Sequence, residues 1–224
     1  MSATGNPLPV VILISGTGSN MCRMAELMQA GKLPISINAV ISDRADAKGL
    51  SIAKSMGITT DSLNPKAFAN RSEFDAALAE KILSYQPDLV ILAGFMRILS
   101  PEFVATFADR MLNIHPSLLP KYPGLHTHQR ALDAGDKEHG ASVHFVTAEL
   151  DGGPVVIQAT VPIITGDTAD TLAKRVLQQE HKIYPLAVEL FAMGRLRSHS
   201  GKVWLDNKAP NSPLQYSDPP NLPT

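Results

Sequence analysis

Apolar residues run unbroken through Val10-Val11-Ile12-Leu13-Ile14, where a half-exposed strand would interleave polar ones. A strand covered on both faces reads this way, as in a parallel sheet flanked by helices. Ser15-Gly16-Thr17-Gly18-Ser19-Asn20 follows as a turn, and a helical pattern then runs from Met21 to about Ala30, ended by Gly31. Ile35 to Ile41 predicts a second strand, and Ala47 to Met56 a helix closed by Gly57. Phe74, Ala77, Leu78, Ile82 and Tyr85 share one face of a longer helix over Ser72 to Tyr85. Pro87-Asp88 introduces a third strand, Leu89 to Ala93. Ser100 is placed to cap a helix with Pro101 in its first turn, and Met111 to Ile114 is another short strand. This alternation predicts an α/β fold, doubly wound around a mostly parallel sheet.

The pattern then changes. Ala141 to Val146 and Val155 to Pro162 read as strands with no helix between them, so the C-terminal portion of the sheet is expected to be partly antiparallel. Thr168 to Met193 predicts a long amphipathic helix, with Thr168 and Thr171 as cap residues and Pro185 as a point of kinking or breakage. Lys202 to Leu205 predicts a small edge strand, and the proline-rich stretch from Ala209 to Thr224 a loose tail. The expected organisation is a flexible segment over residues 1–8, one domain over 9–206 and a tail over 207–224.

Composition narrows the class. The 224 residues suffice for a sizeable core, and 44% apolar with 18% charged residues is the balance of a soluble globular chain. A net charge of −1 excludes bulk electrostatic capture of nucleic acid or membrane but leaves room for a small anion at a local site. No apolar run approaches the roughly 20 residues that span a bilayer, and nothing before Ile14 reads as a secretory signal. The single cysteine, Cys22, excludes an intrachain disulfide, fits a reducing cytoplasm and reads as a packing residue.

Three segments carry candidate chemistry. Gly16-x-Gly18-Ser19-Asn20 joins a strand to a helix, where backbone amides and the helix dipole favour an anion. It reads either as a phosphate site or as a tight turn capped by Ser or Asn, and it is neither a full dinucleotide fingerprint nor a P-loop. Leu92 to Leu99 runs off a central strand end, where open α/β sheets bind ligands, and Phe95, Met96, Ile98 and Leu99 are either core or the wall of a pocket for a flat ligand. Asn113-x-His115 places an amide and an imidazole on one side of an extended segment, followed by a loop restrained by Pro116 and Pro120. With Asp151 as partner for the imidazole, the set suits stabilisation of an oxyanion at a carbonyl under attack. His126-x-His128, with His144, has the spacing of a metal pair, but no cysteine cluster or His-Glu-x-x-His helix supports a metal, and these histidines are expected to shape the loop.

The segments Ile14 to Asn20, Leu92 to Pro101, Leu112 to Thr127, His139 to Val146 and Leu150 to Pro154 resemble the formyltetrahydrofolate-dependent formyltransferases. The resemblance covers roughly Val10 to Arg197. The Gly-Ser-Asn loop and Gln179-Glu180-His181-x-x-Tyr184-Pro185 are similar to the branch of that family acting on phosphoribosylglycinamide. It implies a Rossmann-like domain that uses 10-formyltetrahydrofolate as formyl donor, phosphoribosylglycinamide as acceptor and no metal. It further implies that Gly18, Ser19, Asn20 and Glu180 bind the acceptor, and that Arg71, Met96, Arg97, Ile98, Leu99, Asn113, Val146, Thr147, Leu150 and Asp151 bind the folate. Asn113, His115 and Asp151 would be catalytic, with Asn113 and a His115 imidazolium donating to the oxyanion. Thr17 departs from the larger polar residue frequent in the family, without effect on a backbone phosphate site. The expected partners are small molecules only, on a cytoplasmic monomer or homodimer. A formyltetrahydrofolate hydrolase and a methionyl-tRNA formyltransferase carry further domains with which this chain shows no likeness, and a non-catalytic sensor would not need the intact Asn, His and Asp set.

Overall fold

The computed structural model describes residues 6–217. Its main sheet has eight strands, in the order β10-β7-β6-β5-β4-β1-β2-β3. They are β1 (Leu8–Ile14), β2 (Ile35–Ser42), β3 (Thr60–Ser62), β4 (Leu89–Leu92), β5 (Met111–His115), β6 (Glu138–Phe145), β7 (Val155–Pro162) and β10 (Leu214–Gln215). The helices are α1 (Ser19–Gln29), α2 (Lys48–Ser55), α3 (Arg71–Ser84), α4 (Pro101–Thr106), α5 (Thr127–Asp133) and α6 (Ala169–Ala192). A separate hairpin consists of β8 (Leu196–His199) and β9 (Lys202–Leu205). Strands β1 to β5 pair in parallel, whereas β5–β6 and β6–β7 are antiparallel. The sheet is thus doubly wound, mostly parallel and partly antiparallel towards its C-terminal side, as the pattern predicts.

The unbroken apolar run of β1 has a direct cause. Val10, Ile12 and Ile14 enter one core cluster with residues of α1, α2 and α6, while Val11 and Leu13 enter another with α3 and α4. Successive side chains point to opposite faces of a strand, and here both faces are covered. The chain runs outward from β1 to β2 and β3, then returns to the other side of β1 with β4 and β5. Strand order therefore reverses between β1 and β4, and the crevice outside the carboxyl ends of such strands is where open α/β sheets bind ligands.

Four expectations change. Of the segment over residues 1–8, Leu8 already belongs to β1, paired with Ile35, and residues 1–5 lie outside the described residues. The tail over 207–224 is not loose throughout: Leu214 and Gln215 pair in parallel with Ile157 and Gln158, and Leu214 and Tyr216 pack on the core. Residues 218–224 lie outside the described residues. Lys202 to Leu205 is not an edge strand of the main sheet but half of the β8–β9 hairpin, whose two loop residues, Ser200 and Gly201, hold the paired positive φ of a primed turn. Helix α6 continues unbroken through Pro185, because Tyr184, Pro185, Ala187 and Val188 are all buried along it, and that packing outweighs the roughly 3 kcal/mol an interior proline costs. Its N-terminus carries the capping box of Thr168 and Thr171.

Candidate active site

Three strand ends meet at the switch point. Beyond β1, Gly18 adopts φ +68 and starts α1, whose first turn has neither a side-chain cap nor an acidic residue. The Cys22 amide turns back to the Gly18 carbonyl at 2.8 Å, leaving the amides before it without intrahelical acceptors. Gly49, at the start of α2, donates to the Gly16 carbonyl at 3.0 Å; a Cβ there would press on Ile14 and on the Gly16 and Thr17 carbonyls. Two helix N-termini therefore converge on this loop, a favourable setting for an anion. The loop is tied to the β4 end by Ser15, whose amide donates to the Gly94 carbonyl at 3.0 Å and whose Oγ accepts from the Met96 amide at 2.9 Å.

Asn20 behaves differently from a simple phosphate ligand. Its side chain is buried, and Nδ2 donates to Glu180 Oε2 at 2.7 Å across from α6. Burial raises the Glu180 pKa, opposed by that hydrogen bond. Asn20 Oδ1 is buried and has no partner among the described residues, so an unspent acceptor lies beside the loop.

Asn113 and His115 leave the end of β5 on one face of the strand. Asn113 stands opposite His144 of β6, and its Nδ2 donates to His144 Nε2 at 3.0 Å. This assignment follows from the other side of the ring: His144 Nδ1 lies 2.9 Å from the Phe145 carbonyl, which only accepts, so Nδ1 holds the proton and Nε2 is the acceptor. Burial pushes the His144 pKa down, which keeps that neutral form. The amide of Asn113 is thus oriented and retains a second N–H.

Asp151 completes the group. Its Oδ2 is 3.4 Å from His115 Nδ1 and accepts from the Gly124 amide at 2.8 Å, and its Oδ1 is 3.7 Å from His144 Nε2. On the far side of the imidazole, His115 Nε2 donates to the Tyr122 carbonyl at 2.8 Å. Both ring nitrogens of His115 face acceptors, a carboxylate on one side and a backbone carbonyl on the other. Behind Asp151 the chain passes close to β6: a Cβ at Gly153 would run into the Phe145 carbonyl, the group that fixes the His144 tautomer. Gly153→Ala is expected to cost about 1–3 kcal/mol by overpacking; an unchanged urea midpoint would contradict this.

Two cavities adjoin the group. One, of about 530 Å³, is lined by Gly94 to Ile98, Asn113 to Pro116, Gly124 to His128, Leu150 and Asp151. The other, of about 100 Å³, is lined by Leu92, Phe95, Arg97 to Leu99, Val104, Asn113, His144 and Val146 to Asp151. Asn113 and Asp151 line both. Every expected folate contact lines one of the two except Arg71, which starts α3, half exposed, with Nε 3.6 Å from Asp75 Oδ2. Of the expected acceptor contacts, Gly18, Asn20 and Glu180 line neither cavity, and Ser19 lines a separate open groove with Arg23 and Gln178. Sequence reasoning missed Tyr122 and Gly124 and weighed His144 only beside a metal pair; the adjacency of His144 to Asn113 arises from antiparallel register.

His126 and His128 both line the larger cavity. His128 Nδ1 and His139 Nε2 are 3.1 Å apart, and among the described residues no group of three or more His, Cys, Asp or Glu side chains is arranged to hold a metal ion. Burial, then the neighbouring His128, lowers the His139 pKa to about 4, and burial lowers that of His128. The unfolded chain binds these protons near pH 6.5, so the stability gained from keeping His139 neutral is present above that pH and lost as pH falls through about 4. Urea midpoints are expected to fall between these values, and His139→Asn to flatten the decline; parallel declines in both proteins would contradict this.

An oriented amide donor, an imidazole backed by a carboxylate and a cleft on a doubly wound sheet define a transferase acting at a carbonyl carbon. The chain belongs to the formyl transferase family, whose model matches residues 8–188. It is 54% identical over 199 residues to phosphoribosylglycinamide formyltransferase of Escherichia coli, covering 89% of this chain and 94% of that protein. It is 46% identical over 200 residues to the enzyme of the same name from Haemophilus influenzae, covering 89% and 94%. The structure of phosphoribosylglycinamide formyltransferase from Coxiella burnetii, in complex with CHES, superposes with a TM-score of 0.87 at 50% identity, covering 91% of this chain and 95% of that one.

Proposed function

We propose that this chain transfers the formyl group of 10-formyltetrahydrofolate to the amine of 5-phosphoribosylglycinamide, a step of purine biosynthesis. The reading is carried by the meeting of Asn113, His115 and Asp151 at the junction of two cavities, with only β4 between their strand and β1, which leads into the uncapped start of α1. The donor occupies the cavities between the Gly94–Leu99 run and the Val146–Asp151 segment. The acceptor phosphate rests on the Gly18, Ser19 and Asn20 amides, and Glu180 with Asn20 faces the ribose. Small-molecule substrates fit this site, and no helix among the described residues is long and apolar enough to cross a membrane. The reading is of a cytoplasmic enzyme acting as a monomer or homodimer.

The chemistry balances around one carbon. The acceptor amine forms a bond to the formyl carbon, and the carbonyl oxygen becomes an oxyanion. The second N–H of Asn113 donates to that oxygen, and the positive charge of a His115 imidazolium, held by Asp151 and the Tyr122 carbonyl, stabilises it across the site, a pre-organised arrangement that needs no reorganisation at the moment of reaction. Asp151 holds His115 on one side and organises a water that moves a proton from the attacking nitrogen to N10. The bond from carbon to N10 then breaks, giving the formamide and tetrahydrofolate.

The phosphate assignment has its own test. Turnover is expected with phosphoribosylglycinamide, and kcat/KM is expected to fall about 10²-fold or more with the dephosphorylated acceptor, since hydrogen bonds to charged groups contribute about 1.5–3 kcal/mol each. Equal kcat/KM for the two acceptors would overturn the assignment of the α1 N-terminus.

A further inference from the structure

The segment Tyr122-Pro123-Gly124 touches both members of the His115–Asp151 pair, each through its backbone. The Tyr122 carbonyl takes the Nε2 proton of His115 at 2.8 Å, and the Gly124 amide donates to Asp151 Oδ2 at 2.8 Å, the same oxygen that faces His115 Nδ1. Tyr122 sits at φ +55, a left-handed conformation that a tyrosine rarely adopts, and Gly124 at φ +77. Such a backbone persists only where its surroundings over-determine it.

Those surroundings lie outside the cleft. The Tyr122 hydroxyl donates to Asp136 Oδ2 at 2.9 Å, and Lys121 Nζ reaches the two oxygens of the same carboxylate at 3.1 and 3.0 Å. Arg130, on α5, stands over the Tyr122 ring at 5.2 Å and donates to the Pro123 carbonyl at 2.6 Å. The base of the loop is pinned independently, because Ser142 Oγ donates to the Ser117 carbonyl at 2.7 Å and accepts from the Leu119 amide at 3.0 Å. None of Tyr122, Arg130 and Asp136 lines either cavity.

We propose that Tyr122, anchored by Asp136 and Arg130, is a positioning residue that clamps His115 and Asp151 at their working separation. The inference rests on reading that pair as catalytic. It predicts that removing the anchor misplaces the pair without touching either substrate, so that kcat falls while both KM values stay.

Tyr122→Phe, Asp136→Ala and Arg130→Met are measured for formyl transfer in the parent and in a His115→Ala background, with circular dichroism as a check on folding. The expected result is a roughly 10–100-fold loss of kcat in the parent, the scale of a small misplacement of a reacting group. The loss should vanish in the His115→Ala background, because residues acting through one another are not additive. An unchanged kcat, or an equal loss in both backgrounds, would overturn the proposal. The ring ¹⁵N signals of His115 in the unliganded proteins supply a readout independent of turnover: shifted signals in Tyr122→Phe and Asp136→Ala support the clamp, and unshifted signals overturn it. Absent turnover in the parent protein would instead count against formyl transfer itself, leaving the clamp to the ¹⁵N signals.

Discussion

Asn113→Ala is expected to lower kcat by about 10²–10³-fold, the usual consequence of removing one oxyanion donor. The acceptor KM should move little, since the proposed acceptor site, the Gly18–Asn20 loop with Glu180, lies across the switch point, beyond β4. The size of the effect follows from how the amide is held. His144 takes one N–H of Nδ2 and is itself fixed by the Phe145 carbonyl, so the second N–H has a single direction before substrate arrives. Alanine also leaves His144 Nε2 buried without its donor, a further cost carried by stability rather than by rate. Steady-state kinetics with both substrates separates these effects, and a kcat close to that of the parent would remove Asn113 from the mechanism.

Asp151→Asn is expected to cost about 10²–10⁴-fold in kcat, the range for losing a positioned group in proton transfer. The carboxylate has three neighbours, namely His115 Nδ1, His144 Nε2 and the Gly124 amide. The neutral amide keeps the shape but, in the proposed mechanism, withdraws the negative charge opposite His115 and the group that orders a water between the two nitrogens. Asp151 lies in a left-handed turn at φ +51, where asparagine is also tolerated, so the comparison reads charge rather than backbone strain. The pH dependence of kcat provides the check: a profile and rate matching those of the parent would exclude a proton-handling role.

Much of this site is legible in the sequence because its parts are local. Asn113 and His115 are two residues apart on a strand, and the Gly18 loop and the Phe95 run each mark a strand end, so short-range geometry places them. Asp151 is harder, since its approach to His115 depends on the antiparallel turn from β6 to β7. The pairing of His144 with Asn113 depends on the register of β5 against β6, which no spacing along the chain encodes. Tyr122 escapes for a different reason: its backbone carbonyl, not its side chain, faces the imidazole, and side-chain patterns are blind to that.

The same division holds for the fold. Buried strands and amphipathic helices announce themselves by period, whereas β3, with three half-buried residues, and β10, with two residues inside a proline-rich stretch, exist only through pairing with a neighbour. Pro185 is the reverse case, a local breaker overridden by burial along α6. The Ser200-Gly201 pair is a turn signal carried by two residues alone, and it closes the β8–β9 hairpin, which stands apart from the main sheet.

The central claim is that the Asn113, His115 and Asp151 group delivers a formyl group to an amine held from the far side of β4, rather than to water. Incubation with formyl-labelled 10-formyltetrahydrofolate and phosphoribosylglycinamide, counting label in the nucleotide and in free formate, tests it directly. The expected result is one labelled nucleotide per donor consumed, with formate at background. Label appearing as formate, with none in the nucleotide, would contradict it.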